Sequence, residues 1–215
     1  MSDAESDPEA TDAITVYSDY VCPFCYLGRA SLDEYQKRRE EPLRVEWHPY
    51  DLRASKRGPD GEIDHSVDDG KDDDYYEQAR ENVRRLQEEY DVEMADEIRT
   101  DVDSLPAQVV SYHLRETADY EEWLDFDEAV FDALWLEGRD IGDPDVLEDV
   151  ATDAGFDPAV VTEALDDESV REAVTERFDA ARRQRITGVP RFVYDDHAAR
   201  GAVPPEHLER LVEGV

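Results

Sequence analysis

The chain has two cysteines, Cys22 and Cys25, set in the run YVCPFCYLG over residues 20–28. Three chemistries are open to such a pair: metal ligation, a structural pair of core thiols, or thiol–disulfide exchange. A structural zinc site wants four ligands and commonly joins one CxxC to a second CxxC or to paired histidines. No second CxxC is present, and His48, His65, His113, His197 and His207 show no partner spacing. Zinc would therefore have to be assembled from distant residues. Exchange chemistry has a more direct warrant. The thiolate is the nucleophile, and a cysteine at a helix N-terminus faces unpaired N–H groups and the positive end of the helix dipole. Pro23 suits a first helical position, where its missing N–H costs nothing. A CxxC between a strand and a helix in an α/β protein reads as a redox motif.

The surrounding sequence supplies that strand and that helix. Residues 14–18, ITVYS, are β-branched and aromatic and predict a strand. A helical pattern follows through Leu27, Ala30, Leu32 and Tyr35. Residues 43–50 predict a second strand, with Leu43, Val45 and Trp47 on one face. Residues 53–74 are polar and glycine-bearing, and predict a long exposed loop.

From about 75 to 185 the period is helical. Tyr76, Ala79, Val83, Leu86 and Tyr90 share a face. Further helices are expected over 104–119, with Ser104 as N-cap, and over 121–137. Others start at Asp143-Pro144 and Asp157-Pro158, and one spans 168–184. Strand character returns at 191–194 and, more weakly, at 199–203. Pro204-Pro205 opens a last helix. The order is β-α-β, a block of helices, then β-β-α.

Charge narrows the function classes. The chain has 58 Asp and Glu against 23 Lys and Arg, a net of −35 in 215 residues. The basic residues include only three lysines, Lys37, Lys56 and Lys71. The acids are dispersed rather than gathered into a tail. Such a composition resembles that of salt-adapted (halophilic) proteins, and the fold is expected to weaken as salt falls to tens of millimolar and screening is lost. Nucleic acid is not expected as a ligand, because phosphate contacts need a basic patch. No run approaches the roughly 20 apolar residues of a membrane span. The opening MSDAESDPEATDA has no basic and no apolar region of a secretory signal, and residues 1–13 read as a disordered acidic leader. A cytoplasmic location follows, where a structural disulfide is unusual.

A second motif stands near the other end. Thr187-Gly188-Val189-Pro190 precedes the strand RFVY, where an X-Pro bond at a strand start can be cis. Together, SDYVCPFCYLG, the helical middle, ITGVPRFV and RGAVPPEHLERLV resemble the DsbA family of thioredoxin-like proteins, specifically its FrnE-like cytosolic branch, related to 2-hydroxychromene-2-carboxylate isomerase. The resemblance covers roughly residues 14–213. It implies an α/β thioredoxin-like fold (β-α-β … β-β-α) interrupted by a large all-helical insertion. Residues 14–60 and 186–215 would form the thioredoxin-like part, and 61–185 the loop and the insertion.

The resemblance also implies a dithiol–disulfide oxidoreductase with no cofactor beyond the Cys22–Cys25 couple. Cys22 would be the exposed attacking thiol and Cys25 the deeper, resolving one. Val189, ahead of a cis Pro190, would pair with the substrate chain. Pro23 and Phe24 would tune the potential. Phe24 stands where strongly oxidising relatives carry histidine, so a less oxidising couple is expected. The buried acid common six residues before the first cysteine is replaced by Val16, which leaves Asp19 as candidate proton shuttle or as a loop acid capping the helix. Substrates would be protein or small-molecule thiols and disulfides, with a redox partner to recycle the enzyme. Two other readings stay open: a glutathione-like, thiol-dependent isomerase or transferase of the same fold, and a non-catalytic chaperone-like binder.

Overall fold

A computed structural model describes residues 12–58, 61–64, 66–67, 70, 72–95 and 101–214. Residues 1–11 of the expected leader lie outside the described residues. Ala13 already belongs to the first strand.

Strand β1 (Ala13–Ser18) lies at the centre of the sheet because its side chains are wanted on both faces. It pairs in parallel with β2 (Arg44–Pro49) and antiparallel with β3 (Arg191–Tyr194), which pairs with β4 (His197–Arg200). The order is β2-β1-β3-β4. Alternation sorts the faces. Ile14 and Val16 look toward α1 (Pro23–Gln36) and α8 (Pro205–Glu213), where Leu32, Tyr35, Phe192 and Leu208 complete one core. Tyr17 looks the other way, onto Ala181 and Ile186 at the end of α7 (Glu168–Arg183).

Between β2 and β3 come α2 (Asp73–Tyr90), α3 (Leu105–Thr117), α4 (Tyr120–Trp135), α5 (Pro144–Asp153), α6 (Ala159–Asp166) and α7. Helices α3 to α7 share a core that includes Trp123, Phe126, Phe131, Leu147 and Phe178, and it runs on to Tyr20, Cys22, Cys25 and Trp47. The helical layer thus packs directly against the CxxC segment. Helix α2 follows its expected stripe: Val83 and Leu86 are buried against Leu27.

Three local expectations are corrected. The fourth strand is His197–Arg200, not 199–203, because Gly201 turns the chain at φ 80°. The segment 53–74 is not simply an exposed loop. It holds a 3-10 turn at Ala54–Lys56 and an Arg57–Ile63 bridge, and the Arg57 guanidinium is fixed by Asp51 and Asp103 at 3.0 and 2.9 Å. Ser104 makes no capping bond at α3. Asp103 Oδ1 accepts from Leu105 N instead, at 2.9 Å, which leaves the Ser104 hydroxyl to face inward. At α5 the expected acid is the N-cap, Asp143 accepting from Asp145 N; at α6 the N-cap position falls on Pro158, and Asp157, one residue earlier, accepts from Ala159 N.

Candidate active site

The loop from β1 to α1 delivers the cysteines. Cys22 is the N-cap of α1, with extended backbone, and Pro23 follows at the first helical position. Cys22 N donates to Asp19 O at 3.0 Å and Cys25 N to Cys22 O at 2.9 Å, so the first turn closes directly on the loop. Both thiols are free. Cys25 is 2% exposed. Cys22 is 4% exposed, which corrects the expectation of an open thiol. Its Sγ points to Val189 O at 3.6 Å, and Val21, Phe24 and Val189 pack around the cluster that holds it.

The Val189–Pro190 peptide is cis. Pro190 lies over α1 at Gly28, where a Cβ would stand 3.0 Å from Pro190 Cγ and 3.2 Å from Phe192 Cζ. Glycine at position 28 therefore lets the helix approach the Val189–Pro190 loop. The structure brings Cys22, Cys25 and Val189 into one contact set, with Phe24 and Pro23 at its rim.

Val16 lies in β1 beside Trp47 and Phe192 and offers no proton acceptor. Asp19 does. It is fully buried, accepting from Leu52 N at 2.8 Å, from Val21 N at 3.2 Å and from Gln108 Nε2 at 3.3 Å. Burial pushes its carboxyl up to about 6, against the pull of the Ser104 hydroxyl and the Leu52 N–H, and Asp51 adds repulsion. Burial also pushes the Cys25 thiol up, helped by its hydrogen bond to Cys22 and by the Cys22 charge. Cys25 senses both the Asp19 backbone N–H and the Asp19 charge. A reluctant thiol and a carboxyl that titrates near neutrality therefore share one buried locality. The capping role is not what Asp19 performs: the N-cap is Cys22, and the Asp19 carboxylate binds the 50s loop and α3.

Several participants had little or no sequence signal. Gln108 on α3 spreads one Nε2 over Asp19, Tyr50 O and Ser104 Oγ. Tyr20 donates to Asp127 at 2.6 Å, and Arg29 also bonds Asp127, so the buried carboxylate is held from two sides. Trp135 Nε1 holds Tyr20 O at 2.8 Å. Gly28, a lone glycine inside a helical pattern, is the participant whose signal the sequence does carry. A cavity of about 500 Å³ between α1, β2 and α4 is lined in part by Cys25, Arg29, Trp47, Tyr120 and Asp127. His48 stacks on Tyr17 at 4.5 Å and serves packing, and burial holds its imidazole below the usual value. Among the described residues, no group of three or more His, Cys, Asp or Glu could hold a metal ion. None of their helices is long and apolar enough to cross a membrane.

A parallel β1–β2 pair, the antiparallel β3–β4, a CxxC at the β1–α1 junction and a helical block between the halves decide the comparison. The family model of the DsbA-like thioredoxin domain matches residues 13–213. The chain belongs to that family. It is 29% identical over 200 residues to the uncharacterized protein YwbO of Bacillus subtilis, covering 93% of this chain and 94% of that one. Its fold matches the probable DsbA oxidoreductase SCO1869 of Streptomyces coelicolor with a TM-score of 0.78, at 18% identity, over 94% and 89% of the two chains. It matches 2-hydroxychromene-2-carboxylate isomerase with a TM-score of 0.72, at 18% identity, over 92% of each. Family membership supports an enzyme of the oxidoreductase and isomerase kind.

Proposed function

We propose that this protein is a dithiol–disulfide oxidoreductase working through Cys22 and Cys25. The observation that carries the reading is the pairing of a free N-cap thiol, Cys22, with a second free thiol, Cys25, one turn into the same helix, where Cys25 N donates to Cys22 O at 2.9 Å. Cys22 as thiolate attacks one sulfur of a substrate disulfide. A Cys22–substrate S–S bond forms, and the other substrate sulfur leaves as a thiolate. Cys25 then gives up its proton and attacks Cys22 Sγ, which closes the Cys22–Cys25 disulfide and releases the second substrate thiolate. Asp19 takes the Cys25 proton, since its carboxyl titrates near the working pH of a general base. The reverse sequence oxidises a substrate dithiol.

Val189 would hold the substrate backbone as an added strand, with Pro190 setting the loop. Pro23 and Phe24, between the sulfurs, would set the polarity that fixes the potential. In this reading residues 14–60 and 186–215 form the thioredoxin-like part and 61–185 the insertion. Substrates are protein or small-molecule disulfides, recycled by a partner redox couple in the cytoplasm.

The test is a redox titration in about molar salt, following free thiols by alkylation and mass. A reversible two-electron couple is expected, and a position near roughly −270 mV marks a reductant while one near roughly −120 mV marks an oxidant. Thiols that stay free at every potential sink the proposal. The likeness to 2-hydroxychromene-2-carboxylate isomerase supports a second reading, glutathione-like, thiol-dependent isomerisation or transfer that needs no dithiol couple. Cys25→Ser separates them: it abolishes the dithiol couple and would leave a glutathione-dependent isomerase active.

A further inference from the structure

Arginines collect beside the Val189–Pro190 loop in a way the rest of the chain does not anticipate. From Ala180 to Tyr194 there are four arginines, Arg182, Arg183, Arg185 and Arg191, and no Asp or Glu, in a chain with 58 acids. Arg200 joins them across the sheet. It is the register partner of Arg191, and Gly201 N ties that end of β4 to Pro190 O at 2.9 Å. Directly opposed like charges destabilise a strand pair. The acids of the hairpin, Asp195 and Asp196, sit at its far end, beyond the Tyr194–His197 pair.

Several other arginines find carboxylates: Arg29 with Asp127, Arg38 with Glu206, Arg57 with Asp51 and Asp103, Arg139 with Asp149. Among the described residues, Arg191 and Arg200 form no ion pair, and Arg191 Nε is buried without a hydrogen-bond partner. Two arginines opposed in register, one with a buried guanidinium nitrogen left unpartnered, break the rules of strand pairing and polar burial, and local rules are broken most often at functional sites.

The place is specific. Arg191 shares the α7 face of the sheet with Tyr17, whose hydroxyl donates to Gln184 at 2.7 Å, and Arg191 is close enough to act on that tyrosine electrostatically. Val189, whose carbonyl meets Cys22 Sγ at 3.6 Å, is two residues earlier, about 7 Å of extended chain. A group held by Arg191 and Arg200 would thus lie near a disulfide engaged at Cys22. A guanidinium fork matches a carboxylate in two-point geometry. The global field of a chain at −35 repels an anionic substrate, so admitting one needs a local reversal of sign.

We propose that Arg191 and Arg200 form a carboxylate-binding subsite beside the Val189–Pro190 loop, which selects disulfides bearing a carboxylate close to the reacting sulfur. The proposal rests on Cys22 being the attacking thiol. The carboxylate can belong to a small peptide thiol or to an acidic segment of a protein substrate.

Binding is measured by calorimetry with probes that cannot exchange, so failure of the redox chemistry does not touch the result. The small probe is S-methylglutathione against its diethyl ester. The protein-like probe is a ten-residue peptide with S-methylcysteine flanked by Asp, against the same peptide with Asn. The wild type is expected to prefer the acid form of at least one pair by tenfold or more. In R191Q/R200Q that ratio falls to near one, with a circular-dichroism melt that shows the variant folded. Preference within the glutathione pair assigns a small-thiol substrate, and preference within the peptide pair alone assigns an acidic protein segment. No preference in either pair, or a preference that survives in the folded double variant, overturns the subsite. The redox titration above independently reports whether Cys22 and Cys25 exchange at all.

Discussion

Gln108 Nε2 lies 3.3 Å from Asp19 Oδ1, and both residues are wholly buried. The helical block therefore reaches beneath the CxxC loop and touches the carboxyl proposed above as the proton acceptor for Cys25. Gln108 is held in turn by Tyr50 O and Ser104 Oγ, so the loop after β2, the start of α3 and the active-site loop meet at a single amide.

Asp19 makes stability depend on pH in a defined direction. Its carboxyl is raised to about 6 in the folded chain, mainly by burial, whereas the unfolded chain holds it near its ordinary value of about 4. A raised acid favours the folded state while protonated. Its contribution is fully present below about pH 4 and is lost as pH rises through about 6. The size is about 3 kcal/mol. Asp19→Asn keeps an acceptor for Leu52 N and removes the titration. Urea unfolding of wild type and variant between pH 4 and 8, in high salt, is expected to show their stability difference changing by about that amount. Parallel profiles would show that Asp19 is not perturbed. In the same variant, closure of the mixed disulfide by Cys25 should slow most at neutral pH, where a proton acceptor is needed.

Gln108→Leu removes the donor shared by Asp19, Tyr50 O and Ser104 while keeping similar volume. Leaving buried acceptors unpaired costs about 1–3 kcal/mol. It should also raise the Asp19 carboxyl further, because the ionised form loses a donor. The check is twofold: a lower melting temperature, and an upward shift in the pH midpoint of the resolving step. A variant that loses stability without moving that midpoint would confine Gln108 to packing.

Much of the frame was legible because its signals are local. A β-branched and aromatic run placed β1, alternation placed β2, the proline starts placed α5 and α6, and the CxxC at a strand-to-helix junction placed both thiols. What sequence could not supply was the depth of each group. Cys22 is open by motif but covered by the Val189 peptide, which arrives from 167 residues away. Ser104 looked like a cap, but Asp103 took that bond, and only the packing of α3 on Asp19 turns Ser104 inward. Arg57 sits in a stretch without periodicity, and its two partners lie six and 46 residues off. Contacts of that range leave no pattern in one sequence.

Arg57 anchors the loop that donates Leu52 N to Asp19. Its side chain is 13% exposed and Asp51 is 4% exposed, so removing the cation strands a buried carboxylate. Breaking such a pair costs about 3 kcal/mol. Arg57→Met is expected to lower stability by that order in chemical unfolding. Its pH dependence has the opposite sign to that of Asp19. Burial opposes it, but the Arg57 bonds hold the Asp103 carboxyl below its ordinary range. That contribution is present above the unfolded value and lost as pH falls through the lower folded one. Arg57→Met should therefore be less sensitive than wild type to acidification below about pH 4. An unchanged acid limb would show that the Asp103 pair adds nothing.

Gly28→Ala sets two effects against each other. Alanine favours the helix interior by about 1 kcal/mol. Its Cβ, however, would stand 3.0 Å from Pro190 Cγ and 3.2 Å from Phe192 Cζ, both in packed positions. Overpacking of this kind costs about 1–3 kcal/mol. Neither neighbour is the free end of a flexible chain, so the clash is expected to prevail and the variant to lose about 1 kcal/mol net. The displaced part is the loop that carries Val189 against the Cys22 thiol, so the reactivity of that thiol should change with stability. Alkylation of Cys22 by iodoacetamide in the Cys25→Ser background reports it directly. A faster rate in Gly28→Ala would show that the Val189 carbonyl shields the sulfur. An unchanged rate together with a raised melting temperature would show that the loop yields and that Gly28 is not what seats it on α1.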